Sequence, residues 1–338
     1  MTMTSTASPL SRRSALVLAG LGAGASMLAA CGGEGGAAEG ELTVVTSCYP
    51  LAFLATRVGG DRVSLVDLTN PGMDSHGLEL SVRQVVQVQE ADLVLQIPGF
   101  QAALDDAISS AEDLDVVDVS AVTQLLAYGE GTDHTHEEDA ESETPEDHDA
   151  ESSDGGHEDS GGHEGHDHGP LDPHFWHDPL RMAEVGDALA EHLAEIDPEG
   201  AEDFSGAAAQ LRTELEELDE ELASLYEEHA GGPFITSHAA YAYLAQRYHL
   251  RQIGIAGVDP ETEPSPQRLL QLEQVIEDEG VSTIFFETTA SPKVAQTLAE
   301  NVGIEAAELD NLETQLDEQQ DYPAVMRSNS QALIESWT

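Results

Sequence analysis

Short aliphatic runs rich in β-branched residues recur along the first third of the chain at Leu42–Thr46, Val63–Leu68, Asp92–Ile97 and Asp115–Val119. Between them lie longer stretches, Pro50–Val58, Ser81–Gln89 and Phe100–Ala111, whose apolar positions follow a helical period. Strands alternating with helices at this spacing predict a parallel sheet with helices on its faces. The rhythm then changes to helix alone, over Leu180–Ile196 and Glu202–His229. In the second of these, Leu211, Leu215, Leu218, Leu222 and Leu225 recur at alternating spacings of four and three, a narrow apolar stripe. A coiled-coil dimer competes for that pattern, but the stripe covers only about two heptads and fits a helix packed within its own chain. Strand runs resume at Phe234–Ser237, Gln252–Ala256, Ser282–Phe286 and Glu305–Leu309, with helices at Ala239–Tyr248, Pro266–Glu279 and Pro292–Asn301.

The pattern gives an α/β fold of two lobes, each a parallel sheet flanked by helices, joined by one long rigid helix. The lobes are expected at residues 42–201 and 231–338, with the linking helix at 202–230. Ligands of open α/β sheets bind beyond the carboxyl ends of the strands, so the cleft between the lobes is the place to look for chemistry.

Upstream of the first strand, Ser11-Arg12-Arg13-Ser14 precedes an apolar run from Ala15 to Ala30 that is too short and glycine-rich for a spanning helix. It ends in Leu28-Ala29-Ala30-Cys31 and resembles a bacterial lipoprotein signal, with residues 1–30 removed, Cys31 lipidated and residues 31–41 a flexible tether. An ordinary secretory signal is the alternative. Arg12-Arg13 is a partial twin-arginine match and does not choose the export route. With Cys31 acylated only Cys48 remains, so no intramolecular disulfide can form and stability must come from a core. Aromatic residues are 5% of the chain, so Leu, Val, Ile and Ala must fill that core. A formal net charge of −54 excludes nucleic acid and anionic lipid as electrostatic partners, and acidity spread along the whole chain reads as adaptation to salt.

Histidine placement is more specific than the charge. Between Gly131 and His168 lie seven histidines (His134, His136, His148, His157, His163, His166 and His168) and fifteen carboxylates, without a Lys or Arg. Imidazole suits zinc, copper and nickel, carboxylates attract any divalent cation, and the segment has almost nothing apolar to bury. We read residues 129–169 as a disordered, auxiliary metal-binding loop; a plain solvated linker is the bland alternative. Outside it, candidate ligands fall at predicted strand ends: His76 in a turn-rich loop, His174 in Asp172-Pro173-His174-Phe175-Trp176-His177-Asp178-Pro179, His238 after Phe234-Ile235-Thr236-Ser237, Glu287 after Phe285-Phe286, and Asp310 after Leu309. Three imidazoles and a carboxylate would satisfy a tetrahedral zinc ion.

These motifs resemble, in order and over Thr43 to Trp337, the zinc- and manganese-binding solute-binding proteins of ABC importers, which include lipoprotein adhesins. Pro71-Gly72-Met73-Asp74-Ser75-His76 is similar to the family's first-ligand loop, and the Asp172–Pro179 motif to its second, the most specific match. Ser237-His238-Ala239-Ala240-Tyr241 is similar to the third, Phe286-Glu287-Thr288-Thr289 and Leu309-Asp310-Asn311-Leu312 to the late acidic motifs, and Tyr322, Met326 and Asn329 to positions in the terminal helix. The resemblance implies zinc ligands at His76, His174 and His238, Asp310 as the fourth ligand, and Glu287 behind them holding a ring or helix in place. The Asp310-Asn311 pair departs from the usual Asp-Pro. Manganese-preferring relatives carry a carboxylate where this chain has His238, so the donor set favours Zn2+ over Mn2+. It further implies a monomeric, extracytoplasmic receptor, lipid-anchored to a bacterial cell membrane, which captures zinc and delivers it to an ABC permease. A manganese receptor of the same family and a zinc-buffering surface adhesin stay open. So does a zinc-dependent extracytoplasmic hydrolase with Glu287 as base, although no His-Glu-x-x-His helix is present and no enzyme activity is expected.

Overall fold

Leu42–Thr46 (β1) is the strand on which the first sheet is built. In the computed structural model, which describes residues 41–69, 72–130, 171–258, 264–287 and 292–338, β1 pairs in parallel with Val63–Asp67 (β2) over five residues, from Leu42↔Val63 to Thr46↔Asp67. On its other side it pairs with Leu93–Gln96 (β3), and Val116–Asp118 (β4) closes the order β2-β1-β3-β4. The crossovers are helical: Tyr49–Gly59 (α1), Val82–Gln89 (α2) and Ala102–Ser109 (α3). Ser81 starts α2 with a capping box, its hydroxyl accepting from Gln84 N–H while the Gln84 side chain returns to Ser81 N–H. A short turn of helix, Val119–Val122 (α4), follows β4.

The second sheet repeats the same order. Pro233–Thr236 (β5) is central, flanked by Arg251–Gly254 (β6) and Thr283–Glu287 (β7), with Glu305–Leu309 (β8) outermost, all parallel. Ala242–Tyr248 (α7), Pro266–Glu279 (α8) and Lys293–Val302 (α9) are its crossovers, and Tyr322–Ser336 (α10) closes the chain. Ser265 caps α8 with Pro266 behind it, and Gly280 at φ +70° ends it, the capping chemistry its sequence predicts.

Two helices lie between the sheets in sequence: Pro179–Ile196 (α5) and Ala201–Tyr226 (α6), the latter about 39 Å long at 1.5 Å per residue. Leu211, Leu215, Leu218 and Leu222 on α6 are buried, packed into one apolar core that runs from α1 and α5 to α10 and Trp337. Leu225, the last member of the expected stripe, is 44% exposed. Tyr226 takes its place inside, against Tyr248 and Trp337, and the helix ends in a 3-10 turn at Glu227–His229. Arg212 on α6 pairs with Asp187 on α5, and Arg247 on α7 with the buried Asp219, so α6 is bound laterally as well as by its stripe. The opposite faces of the sheets have their own cores: Val45, Val88, Val94 and Leu104 in the first, Ile235, Ile253, Leu272 and Ile284 in the second.

Cys31 and the seven histidines from His134 to His168 lie outside the described residues. The helix expected from Ala239 starts only at Ala242, because residues 239–241 are held as a loop: Ala239 N–H donates to Gly257 C=O and Tyr241 N–H to the Gln252 side chain.

Candidate metal centre

Each candidate histidine is placed by its own local device. His76 sits in the β2–α2 connection, where Asp74 Oδ1 accepts from His76 N–H at 2.8 Å and the side chain of Gln101 donates to both Ser75 C=O and Ser47 C=O. The Phe100 ring meets the His76 ring edge-on at 4.8 Å. His174 opens a 3-10 turn ahead of α5. Asp172 Oδ1 accepts from both its backbone N–H (2.9 Å) and its ring Nδ1 (2.8 Å), so Nε2 is the ring nitrogen turned towards the other candidate ligands. His238 follows β5, its carbonyl held by Thr236 Oγ1 and its Nδ1 2.5 Å from Glu287 Oε1. Glu287 is itself fixed by Ser237 Oγ and by the Asn311 side chain. Glu287, expected behind a ligand, lies in the structure against the His238 ring.

Asp310 is not part of this convergence. Its Oδ1 accepts Leu312 N–H at 2.8 Å, and its backbone is bracketed by the Asn329 side chain, which receives Asp310 N–H and donates to Asp310 C=O. The carboxylate is spent on closing a turn in which Leu312 adopts φ +62°. That left-handed residue redirects the chain, so Glu313 rather than Asp310 enters the cluster. Among the described residues, His76, His174, His238 and Glu313 form one group whose donor atoms all lie within 4.8 Å of one another, all four side chains buried. Nothing in the local pattern of Asp310-Asn311-Leu312-Glu313 marks the second acid over the first; the available signal was only that the loop after the last strand holds five acids, Asp310, Glu313, Asp317, Glu318 and Asp321.

The spacing can be tested against a metal. His174 Nε2 is 3.2 Å from His76 Nε2 and 3.4 Å from His238 Nε2; Glu313 Oε1 is 3.2 Å from His76 Nε2 and 3.7 Å from His174 Nε2. Tetrahedral zinc with ligand bonds of about 2.0–2.1 Å has ligand–ligand edges of about 3.3–3.4 Å. Glu313 Oε1 is buried without a hydrogen-bond partner of its own and faces the imidazole nitrogens, while Oε2 accepts Ser75 N–H at 3.2 Å. A buried polar atom left in this way is what a cation would satisfy. Four protein donors fill a tetrahedral ion, whereas a catalytic zinc keeps one position open.

Charge in the cluster is balanced between the carboxylate and the rings. Burial alone would push the Glu313 carboxyl up, but His76, His174 and His238 together hold it well below the usual carboxylate range. Burial likewise disfavours a charged His174, and Asp172 and Glu313 outweigh it, raising that imidazole to about 9. Asp74 is raised, by burial and then by the neighbouring Glu313. His177, one turn beyond His174 and 4.5 Å from the Tyr241 ring, is held neutral by burial and by the charge of His174.

Two parallel-sheet halves with a buried His3Glu group, drawn from the loops after β2, β5 and β8 and from the turn ahead of α5, define a metal-binding protein of the two-lobed solute-receptor class. Comparison with known proteins narrows this: residues 44–336 match the family described as zinc-uptake complex component A, periplasmic, and the chain belongs to it. That family consists of transport receptors rather than enzymes. The chain is 34% identical over 302 residues to a zinc-binding protein AdcA of Streptococcus pyogenes, covering 88% of this chain and 56% of that protein, so it spans little more than half the length of that relative. It is 29% identical over 320 residues to the high-affinity zinc uptake system protein ZnuA of Bacillus subtilis, covering 92% and 93% of the two chains. The solved laminin-binding protein of Streptococcus agalactiae, described as a bifunctional protein with adhesin and metal-transporting activity, superposes with a TM-score of 0.71 at 25% identity, covering 88% of this chain and all of that one.

Proposed function

We propose that this protein is an extracytoplasmic receptor that captures Zn2+ at His76, His174, His238 and Glu313 and delivers it to the permease of an ABC importer. The observation that carries the reading is the spacing of the four donor atoms, 3.2 to 3.7 Å across the four pairs given above, against the edges of a zinc tetrahedron. Family membership and the zinc-binding relatives support zinc as the cargo. Three imidazoles with one carboxylate are softer than the oxygen-rich set manganese prefers, which argues against a manganese receptor.

Lipid attachment through Cys31 would hold the receptor at the membrane, and no helix among the described residues is long and apolar enough to cross one. The histidine- and acid-rich stretch from Gly131 to His168 would raise the local cation concentration and feed the buried site. The test is metal analysis of the purified chain with competitive titration of zinc against manganese. One tight zinc per chain that manganese does not displace is expected, and preferential manganese retention would overturn the choice of cargo. An additional adhesive role finds support in the laminin-binding neighbour; binding of the zinc-loaded protein to immobilised laminin measures it.

A further inference from the structure

The described residues on either side of 131–170 are joined to each other beside the metal centre, as a stem. On one side of the stem is Gln124–Ala127 and on the other Leu171–Asp172. They are joined by an antiparallel bridge between Ala127 and Leu171 and by Asp172 N–H donating to Leu126 C=O at 2.9 Å. A single phenol reaches both sides from the other half of the molecule. Tyr243 on α7, buried, accepts Leu126 N–H at 2.8 Å and donates to Asp172 C=O at 2.6 Å. The Arg181 guanidinium lies 5.1 Å over the Tyr243 ring, and its Nη1 donates to Gln124 C=O, adding a second hold on the same stem.

Asp172 is the residue that orients His174, through Oδ1 contacts to its N–H and its ring Nδ1. Tyr243 stands five residues after His238, in the first turn of the helix that follows that ligand's loop. We propose that Tyr243 is a positioning residue for zinc: its hydroxyl locks the stem of the 131–170 segment to the Asp172–His174 pair and registers both against the half carrying His238. This rests on the zinc-binding reading above. Its physical basis is that one hydroxyl satisfies a donor and an acceptor which would otherwise both be buried and unpaired, and that the acceptor is the backbone of the residue that sets the His174 tautomer and ring angle. Without the hydroxyl, Asp172 can follow displacements of the stem and the Nε2 of His174 moves with it.

The experiment uses the full chain with Tyr243→Phe, and Tyr248→Phe as control. Tyr248 is on the same helix and also uses a buried hydroxyl, to Asp219 at 3.1 Å, away from the metal ligands. Zinc affinity is read by chelator competition, and site geometry by the visible absorption bands of bound Co2+. Tyr243→Phe should weaken zinc about tenfold, the low end of what changes behind a metal ligand cost, and should shift the Co2+ bands. Tyr248→Phe should leave both as in the parent while lowering thermal stability. Arg181→Gln, which withdraws the hold at Gln124 and the ion pair to Asp178 but keeps the hydroxyl, should move the bands less than Tyr243→Phe does. Bands and affinity unchanged in Tyr243→Phe, or moved equally by Tyr248→Phe, overturn the proposal while leaving the zinc site intact. A parent chain without one tight zinc overturns the site itself and this inference with it.

Discussion

Glu313→Gln and Asp310→Asn, compared side by side, separate the first two acids that follow β8. Glu313 is buried with Oε1 turned into the three imidazoles and Oε2 on Ser75 N–H. The amide keeps the shape and one acceptor but removes the only anion in the group, leaving three neutral donors and a weak carbonyl for a dication. Removing one member of a buried charge pair costs about 3–5 kcal/mol. At about 1.4 kcal/mol per tenfold, zinc affinity should fall by about 10²- to 10⁴-fold. Asp310→Asn keeps an oxygen for Leu312 N–H and leaves the Asn329 bracket on the backbone untouched. Its affinity should stay within about threefold of the parent, a change of the size expected away from a charged contact. Competition against a chelator strong enough to strip weaker sites, monitored calorimetrically on the full chain, reads both variants. The reasoning fails if Asp310→Asn loses zinc as severely as Glu313→Gln, or if Glu313→Gln binds like the parent.

Three further outcomes are expected. Deleting Thr132–Gly169 removes seven histidines but none of the four clustered donors, so the chain should keep one tight zinc and lose several weaker ones; loss of the tight zinc in calorimetric titration would make the deleted segment the receptor. Because the folded protein raises His174 to about 9, its protonation stabilises the metal-free fold fully below an unfolded value of about 6.5 and progressively less as pH climbs to 9. Zinc must then expel that proton at pH 7.5, and titrations in buffers of different ionisation enthalpy should show a slope near one proton released, a slope of zero being the contrary result. Cys31→Ser should leave the precursor uncleaved or release the protein from the membrane fraction; a lipid-free N-terminus mapped to another residue in the parent would remove the anchor.

Periodicity located the strands and most helices to within a few residues, because β-branched runs and capping residues such as Ser81 and Ser265 are local signals, whereas α10 was legible only through the family resemblance. His174 and His238 were legible for the same reason: a rigid motif or a strand end fixes each one's place independently of the rest. Glu313 was not, since its selection over Asp310 depends on a left-handed backbone at Leu312 and on which acid the Asn329 side chain and Leu312 N–H engage. These contacts join residues from separate elements and leave no spacing to read. Leu225 failed differently. Its place in the heptad was right, but α6 runs out of partners there and Tyr226, one residue on, has the reach to find Tyr248 and Trp337.

The four donors divide evenly between the sheets, with His76 and His174 supplied from the first half of the chain and His238 and Glu313 from the second. Neither half can close a tetrahedron by itself, so a bound ion acts as a stitch whose strength is counted by both halves at once. With free zinc about a thousandfold above its dissociation constant, the ion adds about 4 kcal/mol to the folded state. That increment vanishes as soon as either sheet melts. A loaded receptor should therefore melt well above the stripped one, and both should melt as one cooperative unit, because the apolar core around α6 already joins the halves before the ion arrives.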